Sequence, residues 1–227
     1  MSWTDHMEEL RRRIIKSLLA IVLGMGVSFL FMDEIMAFLT SYVGTLYFMR
    51  PAEAFMIYFK IIFCAGAVIS SPLWFYQLWA FLLPAFTTHE KKVLAAVVPV
   101  SLLLFLGGIA FSYGIVLPRG LAFLMNFTSD GIRPLFSMES YMDFVFFMTI
   151  PFGILFNLPL FLVLLAETGL VTSAKLRHIR KYVVLASFIL AALITPTTDI
   201  FSQCLLAVPL LLLYEGSCFF IATALGK

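Results

Sequence analysis

The chain has 227 residues, of which 62% are apolar and 12% are charged, and its formal net charge is +2. Soluble domains are about 45–50% apolar and about 25% charged, so this composition excludes a water-soluble globular protein, which would have to expose large apolar patches. The small net charge and the scattered lysines and arginines also argue against a nucleic-acid-binding protein.

The first part of the chain contains apolar runs that predict membrane-spanning helices. The run from Ile14 to Met32 exceeds the ~7–15 residues of a signal-peptide core, so we predict a transmembrane helix and not a cleaved signal. The segment from Asp33 to Arg50 is too short and broken to span, and we expect part of it to form a short amphipathic helix in the membrane interface. A second helix is predicted from about Ala54 to Leu83, kinked at Pro72 because a proline inside a helix removes a backbone hydrogen bond.

Two further long helices are predicted in the middle of the chain. The third runs from Val93 to Leu117, and an extramembrane segment from Pro118 to Glu139 follows it. The fourth runs from about Tyr141 to Ala166 and contains two prolines.

The last two apolar segments are unusually short. Tyr182–Ile194 has 13 residues and Ile200–Leu213 has 14, so each covers about 20 Å of a hydrocarbon core that is about 30 Å thick. They could form a re-entrant hairpin, or two short spans that thin the membrane. We favour two spans, because the basic loop before them and Lys227 after them belong on the same side; an extension of the last helix past Glu215 is left open.

The distribution of positive charge predicts that both termini are cytoplasmic. The N-terminus, the loop from Pro84 to Lys92, the loop from Thr172 to Lys181 and Lys227 together hold 11 of the 15 lysines and arginines. No repeat, linker or low-complexity stretch divides the chain, so we predict one domain over residues 1–227. The predicted fold is an all-α integral membrane protein with six transmembrane helices, the last two short.

No pattern in the chain indicates catalysis, a cofactor or a metal. There is no Gly-rich phosphate loop, no HExxH motif and no nucleophile elbow. The three histidines lack the spacing of metal ligands, and each of the three cysteines lies alone in an apolar run, as expected of a buried and inert thiol. We therefore predict that the protein is not an enzyme.

Two polar segments have an ordinary structural interpretation. The N-terminal run His6-Met7-Glu8-Glu9-Leu10-Arg11-Arg12-Arg13 could be a solvated helix start whose arginines lie at the lipid headgroups. In the run Thr87-Thr88-His89-Glu90-Lys91-Lys92, a threonine could cap the next helix, with Glu90 near the positive end of its dipole.

Taken together, these segments resemble a known family. The resemblance rests on five blocks that occur in order along the chain: His6…Glu9-Leu10-Arg11-x-Arg13; Pro51-x-Glu53-x-Phe55; Tyr76-Gln77-x-Trp79-x-Phe81-x-x-Pro84; His89-Glu90-Lys91-Lys92; and Thr195-Pro196…Asp199-x-Phe201-Ser202-Gln203. With six spans, the chain is similar over its whole length to TatC, the multi-spanning subunit of the twin-arginine protein translocase.

The resemblance implies a concave helical bundle in the bacterial cytoplasmic membrane that acts as a receptor. It would bind twin-arginine signal peptides of folded cargo and assemble, in several copies, with TatA- and TatB-type single-span partners for export driven by the proton-motive force. By position, Glu9 and Glu90 would bind the two arginines, with Arg11 and Arg13 beside them, and Phe81 would receive the apolar part of the signal. The chemistry is suitable, because a carboxylate accepts the planar fork of a guanidinium in bidentate fashion and matches lysine less well.

The resemblance also implies roles for a second set of residues. Thr195 and Gln203 would lie where single-span partners dock, although ordinary capping of an external turn explains them equally well. Pro51 and Glu53 match an external-loop motif, in which Glu53 could simply cap the second helix. Asn157 lies where the family commonly has a glutamate in the fourth helix, and an amide can line a groove but cannot hold a charge or a proton.

A small proton-coupled secondary transporter is the alternative function. It would need paired charges inside the membrane or internal repeats. The only charge well inside a predicted span is Lys60, toward the outer end of its helix, and Asp143 lies near the outer edge of the fourth helix, so the sequence favours the receptor.

Overall fold

The computed structural model describes residues 3–82, 90–126, 135–195 and 199–224, with side chains over residues 6–82, 93–126, 135–195 and 199–223. Nearly all of these residues are helical. The elements in chain order are α1 (Trp3–Leu30), α2 (Met32–Leu39), β1 (Leu46–Tyr47), α3 (Pro51–Ile69), α4 (Ser71–Leu82), α5 (Glu90–Phe111), a π-helical turn (Ser112–Val116), α6 (Leu117–Met125), β2 (Phe136–Ser137), α7 (Met138–Leu155), α8 (Leu158–Glu167), α9 (Ser173–Ile194) and α10 (Ile200–Ala224). β1 and β2 form a two-stranded sheet.

Five helical stretches among the described residues are long and apolar enough to cross a membrane. They are His6–Leu30, Pro51–Ile69, Val93–Met125, Met138–Glu167 and Ile200–Thr223. This confirms the prediction of a multi-spanning helical protein. The remaining predicted span, the fifth in chain order, corresponds to α9, which has 22 residues but carries five basic residues or histidines in its first half. The count of six and the cytoplasmic location of the termini stay predictions.

The kink predicted at Pro72 is a break between two helices. α3 ends at Ile69, Ser70 has φ −81° and ψ 1°, and α4 begins at Ser71. Pro72 has no N–H to donate to the preceding turn, so the helical hydrogen-bond pattern is interrupted there. The short helix expected after the first span is also present, as α2, and it is eight residues long; its location in the membrane interface stays a prediction.

Two helix ends were predicted wrongly. The third helix was expected to stop at Leu117, but the π-helical turn at Ser112–Val116 leads directly into α6, and Pro118 lies in the first turn of α6, where a missing N–H costs little. The last helix was expected to be short, but α10 has 25 residues. It continues past Glu215, an extension that the sequence left open, and that carboxylate pairs with Arg180 of α9 at 2.5 Å.

The chain divides into two compact units, one of residues 1–102 with 137–139, the other of residues 103–136 with 140–227. In the first unit, α1 packs most extensively on α3, and α4 packs on α1. In the second unit, α10 packs on α8 and α9 around a core in which the hydroxyl of Tyr214 donates to the Leu176 carbonyl at 2.8 Å. The single domain over residues 1–227 stays a prediction.

The contact between α1 and α3 depends on two glycines. A Cβ on Gly24 would overlap the backbone oxygen of Gly66, and a Cβ on Gly66 would come within 2.6 Å of the backbone nitrogen of Met25. Small residues let two helices approach this closely, and close packing stabilises helix pairs in lipid.

Replacing Gly24 with alanine is therefore expected to destabilise the first unit by about 1–3 kcal/mol, the usual effect of overpacking. Gly26 is the matched control, because a Cβ there would meet nothing within 4 Å. The thermal unfolding midpoint of the purified protein should fall for Gly24→Ala and should not fall for Gly26→Ala. Equal midpoints for the two variants would contradict the role assigned to this contact.

Candidate functional site

The first part of α1 presents a polar face to the last turn of α4. His6, Glu9 and Arg13 recur at three- and four-residue intervals on α1, so they share one side of the helix. The ring of His6 stacks on Phe81 of α4, with 4.5 Å between ring centroids and 20° between planes. This contact places the start of α1 beside the end of α4, at the side of the protein that is predicted to be cytoplasmic.

Glu9 and Arg13 form a half-buried ion pair on this face. Arg13 donates from Nη2 to Glu9 Oε1 at 2.6 Å and from Nε to the same oxygen at 2.9 Å. Arg13 Nη1 also donates to Oε1 of Gln77 on α4 at 3.4 Å. Each side chain of the pair is 24% exposed. Gln77 thus belongs to the site, although from the sequence it was recognisable only as part of the Tyr76-Gln77-x-Trp79 motif.

The neighbouring residues Glu8, Arg11 and Arg12 are exposed, and the role expected of Arg11 in signal binding stays a prediction. Glu8 pairs with Arg12 in the same four-residue spacing, but their side chains are 71% and 67% exposed and 3.4 Å apart. Arg11 is exposed as well, so the structure does not place it with Glu9. Glu90 is the first residue of α5, and its side chain lies outside the described residues. Its approach to Glu9 stays a prediction.

An apolar groove of about 300 Å³ continues from this ion pair between α1 and α4. Its apolar lining is Ile14, Leu18 and Ile21 from α1 and Trp74, Leu78 and Phe81 from α4. Trp74 donates its indole N–H to the Ala67 carbonyl at 2.8 Å, across the break between α3 and α4. The break between the helices thus leaves the Ala67 carbonyl within reach of Trp74, so the indole N–H of the largest side chain in the groove has a hydrogen-bond partner.

Glu53 forms a second polar cluster at the start of α3. Its Oε2 accepts from the backbone N–H of Met49 at 2.8 Å and of Arg50 at 3.3 Å, which caps α3 as the sequence suggested, and Pro51 is the first helical residue. Its Oε1 accepts from the Ser137 hydroxyl at 3.2 Å and from the Glu139 backbone N–H at 3.1 Å. Glu53 is buried and ties the start of α3 to the segment that begins α7, a role that the sequence did not reveal.

Thr195 lies at the end of α9, and Gln203 lies in the first turn of α10. The hydroxyl of Thr195 donates to Ala191 O at 2.9 Å within its own helix. The Gln203 amide donates from Nε2 to Phe188 O at 2.8 Å, from α10 to α9. Both side chains thus have a local structural role, and docking of a partner helix at these residues stays a prediction.

A family model described as Sec-independent protein translocase protein (TatC) matches residues 5–209 of the chain. The chain belongs to the TatC family. The Sec-independent protein translocase protein TatC of Aquifex aeolicus (strain VF5) is 37% identical over 227 residues, which cover 96% of this chain and 94% of that protein. The protein of the same name from Helicobacter pylori (strain J99) is 40% identical over 210 residues, which cover 92% and 84%.

A solved structure of the twin arginine translocase receptor TatC has the same fold. It is 36% identical to this chain, the TM-score is 0.87, and the match covers 95% of this chain and 99% of the other. This TatC chain is therefore a multi-pass protein of the inner membrane and the receptor subunit of the twin-arginine protein translocase, not an enzyme. The comparisons give no support to a secondary transporter.

Within this TatC chain, Asn157 lies at the break between α7 and α8. The backbone N–H of Asn157 donates to Ile154 O at 3.1 Å, and the Gly153 carbonyl accepts instead from Asn157 Nδ2 at 3.2 Å. A carboxylate cannot donate this bond, so the amide fits the break better than an ionised glutamate would. Asn157 Oδ1 is buried and accepts no hydrogen bond within the described part of the chain.

Proposed function

We propose that the face of α1 around Glu9, together with Glu90, binds the arginine pair of twin-arginine signal peptides. One observation carries the proposal: the Glu9 carboxylate already holds a guanidinium, that of Arg13, in a half-buried position beside the Gln77 amide. A site that accepts an arginine of its own chain has the geometry and the charge to accept one from a ligand. Partial burial strengthens such a pair relative to a fully solvated one.

The arrangement of the pair leaves room for a second guanidinium. Both hydrogen bonds from Arg13 end on Oε1 of Glu9, so the pair does not use Oε2. A signal arginine could share the carboxylate through Oε2 or replace Arg13 at Oε1. Because Glu90 begins α5 and carries a second carboxylate, two acidic residues are available for two arginines.

The partners of this receptor are proposed to be TatA- and TatB-type single-span proteins, in a complex with several copies of each subunit. Helices that associate in lipid use exposed apolar faces and hydrogen bonds between polar side chains. The face near Gln203 offers exposed apolar residues, because the neighbouring Leu193 and Ile200 are both exposed. Transport would use the proton-motive force, and the chain itself performs no chemistry.

The test of the receptor site is the binding of paired peptides to the purified wild-type protein. A signal peptide with two arginines should bind, and the same peptide with both arginines replaced by lysines should bind about tenfold or more weakly, because an ammonium cannot form the bidentate contact. Equal affinity for the two peptides would contradict the proposed chemistry.

A further inference from the structure

We infer that Arg13 is an internal competitor of the signal peptide: it occupies the Glu9 carboxylate in the unliganded receptor, and a signal arginine binds there by displacing the Arg13 guanidinium. The inference rests on the proposed function, because Glu9 defines the arginine site. It gives Arg13 a role opposite to that of a ligand-binding residue. Arg13 lowers the affinity of the receptor for its signal and so keeps the binding reversible.

The Glu9–Arg13 pair has the geometry of an occupied site. Arg13 donates two hydrogen bonds to Oε1 of Glu9, at 2.6 and 2.9 Å, and each side chain is 24% exposed. A signal arginine carries the same donors, so the two guanidinium groups compete for the same acceptor. Because Arg13 lies one helical turn from Glu9 on α1, its effective concentration at the carboxylate is high at any protein concentration.

Charge balance favours exchange of the two guanidinium groups over sharing of the carboxylate. One carboxylate balances one guanidinium. A second guanidinium on Glu9 would leave a net positive charge in a half-buried position, where like charges repel each other more strongly than in water. Replacement of Arg13 by the signal arginine keeps the pair neutral and conserves its hydrogen bonds.

Gln77 of α4 provides an acceptor for the displaced Arg13. Arg13 Nη1 already donates to Gln77 Oε1 at 3.4 Å, a long hydrogen bond that can shorten once the guanidinium leaves Glu9. Arg13 and Gln77 both line the groove of about 300 Å³ between α1 and α4, so there is open space beside the guanidinium. The displaced side chain therefore keeps a partner, which limits the cost of the exchange.

Arg12 is the matched control for Arg13. It forms the same four-residue ion pair, with Glu8, but the two side chains are 67% and 71% exposed and 3.4 Å apart. Arg12→Gln removes one positive charge from the same turn of α1 without emptying the half-buried site. It therefore measures the general electrostatic effect of losing a charge at this surface.

The test is a titration of two fluorescent peptides, one with two arginines and one with two lysines, against the purified protein and its variants. Arg13→Gln is expected to tighten binding of both peptides by the same factor, about threefold to tenfold, because loss of a competitor affects every ligand of the site equally. Arg12→Gln should change neither affinity by more than about twofold. Thermal unfolding without peptide checks that each variant is folded.

A double variant shows whether Arg13 acts through Glu9. Glu9→Gln with Arg13→Gln should bind the peptide no more tightly than Glu9→Gln alone, because no carboxylate is left for Arg13 to occupy. Unchanged or weaker binding by Arg13→Gln, an equal gain from Arg12→Gln, or a full gain in the Glu9→Gln background would overturn the inference.

The failure of this inference is distinguishable from the failure of the proposed function. If Glu9→Gln leaves the affinity for the twin-arginine peptide unchanged, the arginine site itself is wrong. If Glu9→Gln weakens binding but Arg13→Gln does not tighten it, the site stands and Arg13 does not compete for it.

A second measurement follows Arg13 in the wild-type side-chain environment. In protein labelled with ¹⁵N-arginine, the Nε–H resonance of Arg13 is assigned by its absence in Arg13→Lys. Saturation with an unlabelled twin-arginine peptide should shift this resonance, because the Nε–H loses its bond to Glu9. A resonance that stays in place when the peptide is bound would show that Arg13 is not displaced and would overturn the inference.

Discussion

Replacing Glu9 with glutamine is expected to lower the affinity of the purified protein for a twin-arginine peptide by about tenfold to a hundredfold. Glutamine keeps the shape of the side chain but removes the charge, and a hydrogen bond to a charged group contributes about 1.5–3 kcal/mol. The protein should remain folded, because the Arg13 side chain keeps its contact with Gln77. Titration of a fluorescent peptide measures the change in affinity.

Glu8→Gln is the matched control for this experiment. Glu8 forms the same four-residue ion pair, with Arg12, but its side chain is far more exposed and does not face α4. Exposed pairs contribute little, so peptide affinity should be unchanged. Glu90→Gln is expected to weaken binding at least as much as Glu9→Gln. Unchanged affinity in both the Glu9 and the Glu90 variant would remove the basis of the receptor site.

Lengthening the apolar parts of α9 and α10 by four leucines each is expected to leave peptide binding intact and to reduce transport strongly. The Arg180–Glu215 ion pair joins α9 to α10 where the apolar part of each helix meets charged residues. About fifteen residues of each helix separate this pair from Thr195, at the end of α9, and from Ile200, at the start of α10. Fifteen residues span about 22 Å, which is shorter than the hydrocarbon core by about 8 Å. Such a mismatch costs fractions of a kcal/mol per Å and thins the bilayer locally.

A thinned bilayer beside the receptor would lower the barrier to moving folded cargo, and one added helical turn in each segment would remove the thinning. Export of a folded reporter by cells that carry the variant measures transport, and the peptide titration shows that the receptor is intact. Normal export would mean that the short apolar parts of α9 and α10 have no role in transport.

Sequence alone predicted the elements that depend on local composition. The apolar run of the first span, the short helix α2 and the interruption at Pro72 follow from hydropathy and from the missing N–H of proline, which act within one or two helical turns. The family was also evident from the sequence, because its five motifs occur in order along the chain. Helix ends were less predictable. A π-helical turn leads into α6, which contains Pro118, and α10 continues past Glu215, which pairs with Arg180 of α9, a residue distant in sequence.

The site residues show the same division. The sequence determined that two glutamates are followed by three arginines at the start of α1, and Glu8–Arg12 and Glu9–Arg13 have identical spacing. Only the packing of α1 on α4 distinguishes the two pairs, because it half-buries Glu9 beside Gln77 and leaves Glu8 in solvent. In the same way, Glu53 was recognisable as a helix cap, but its bonds to Ser137 and Glu139 join segments more than eighty residues apart. Tertiary structure decides such contacts, since the energy of a charged group depends on the neighbours that exclude water from it.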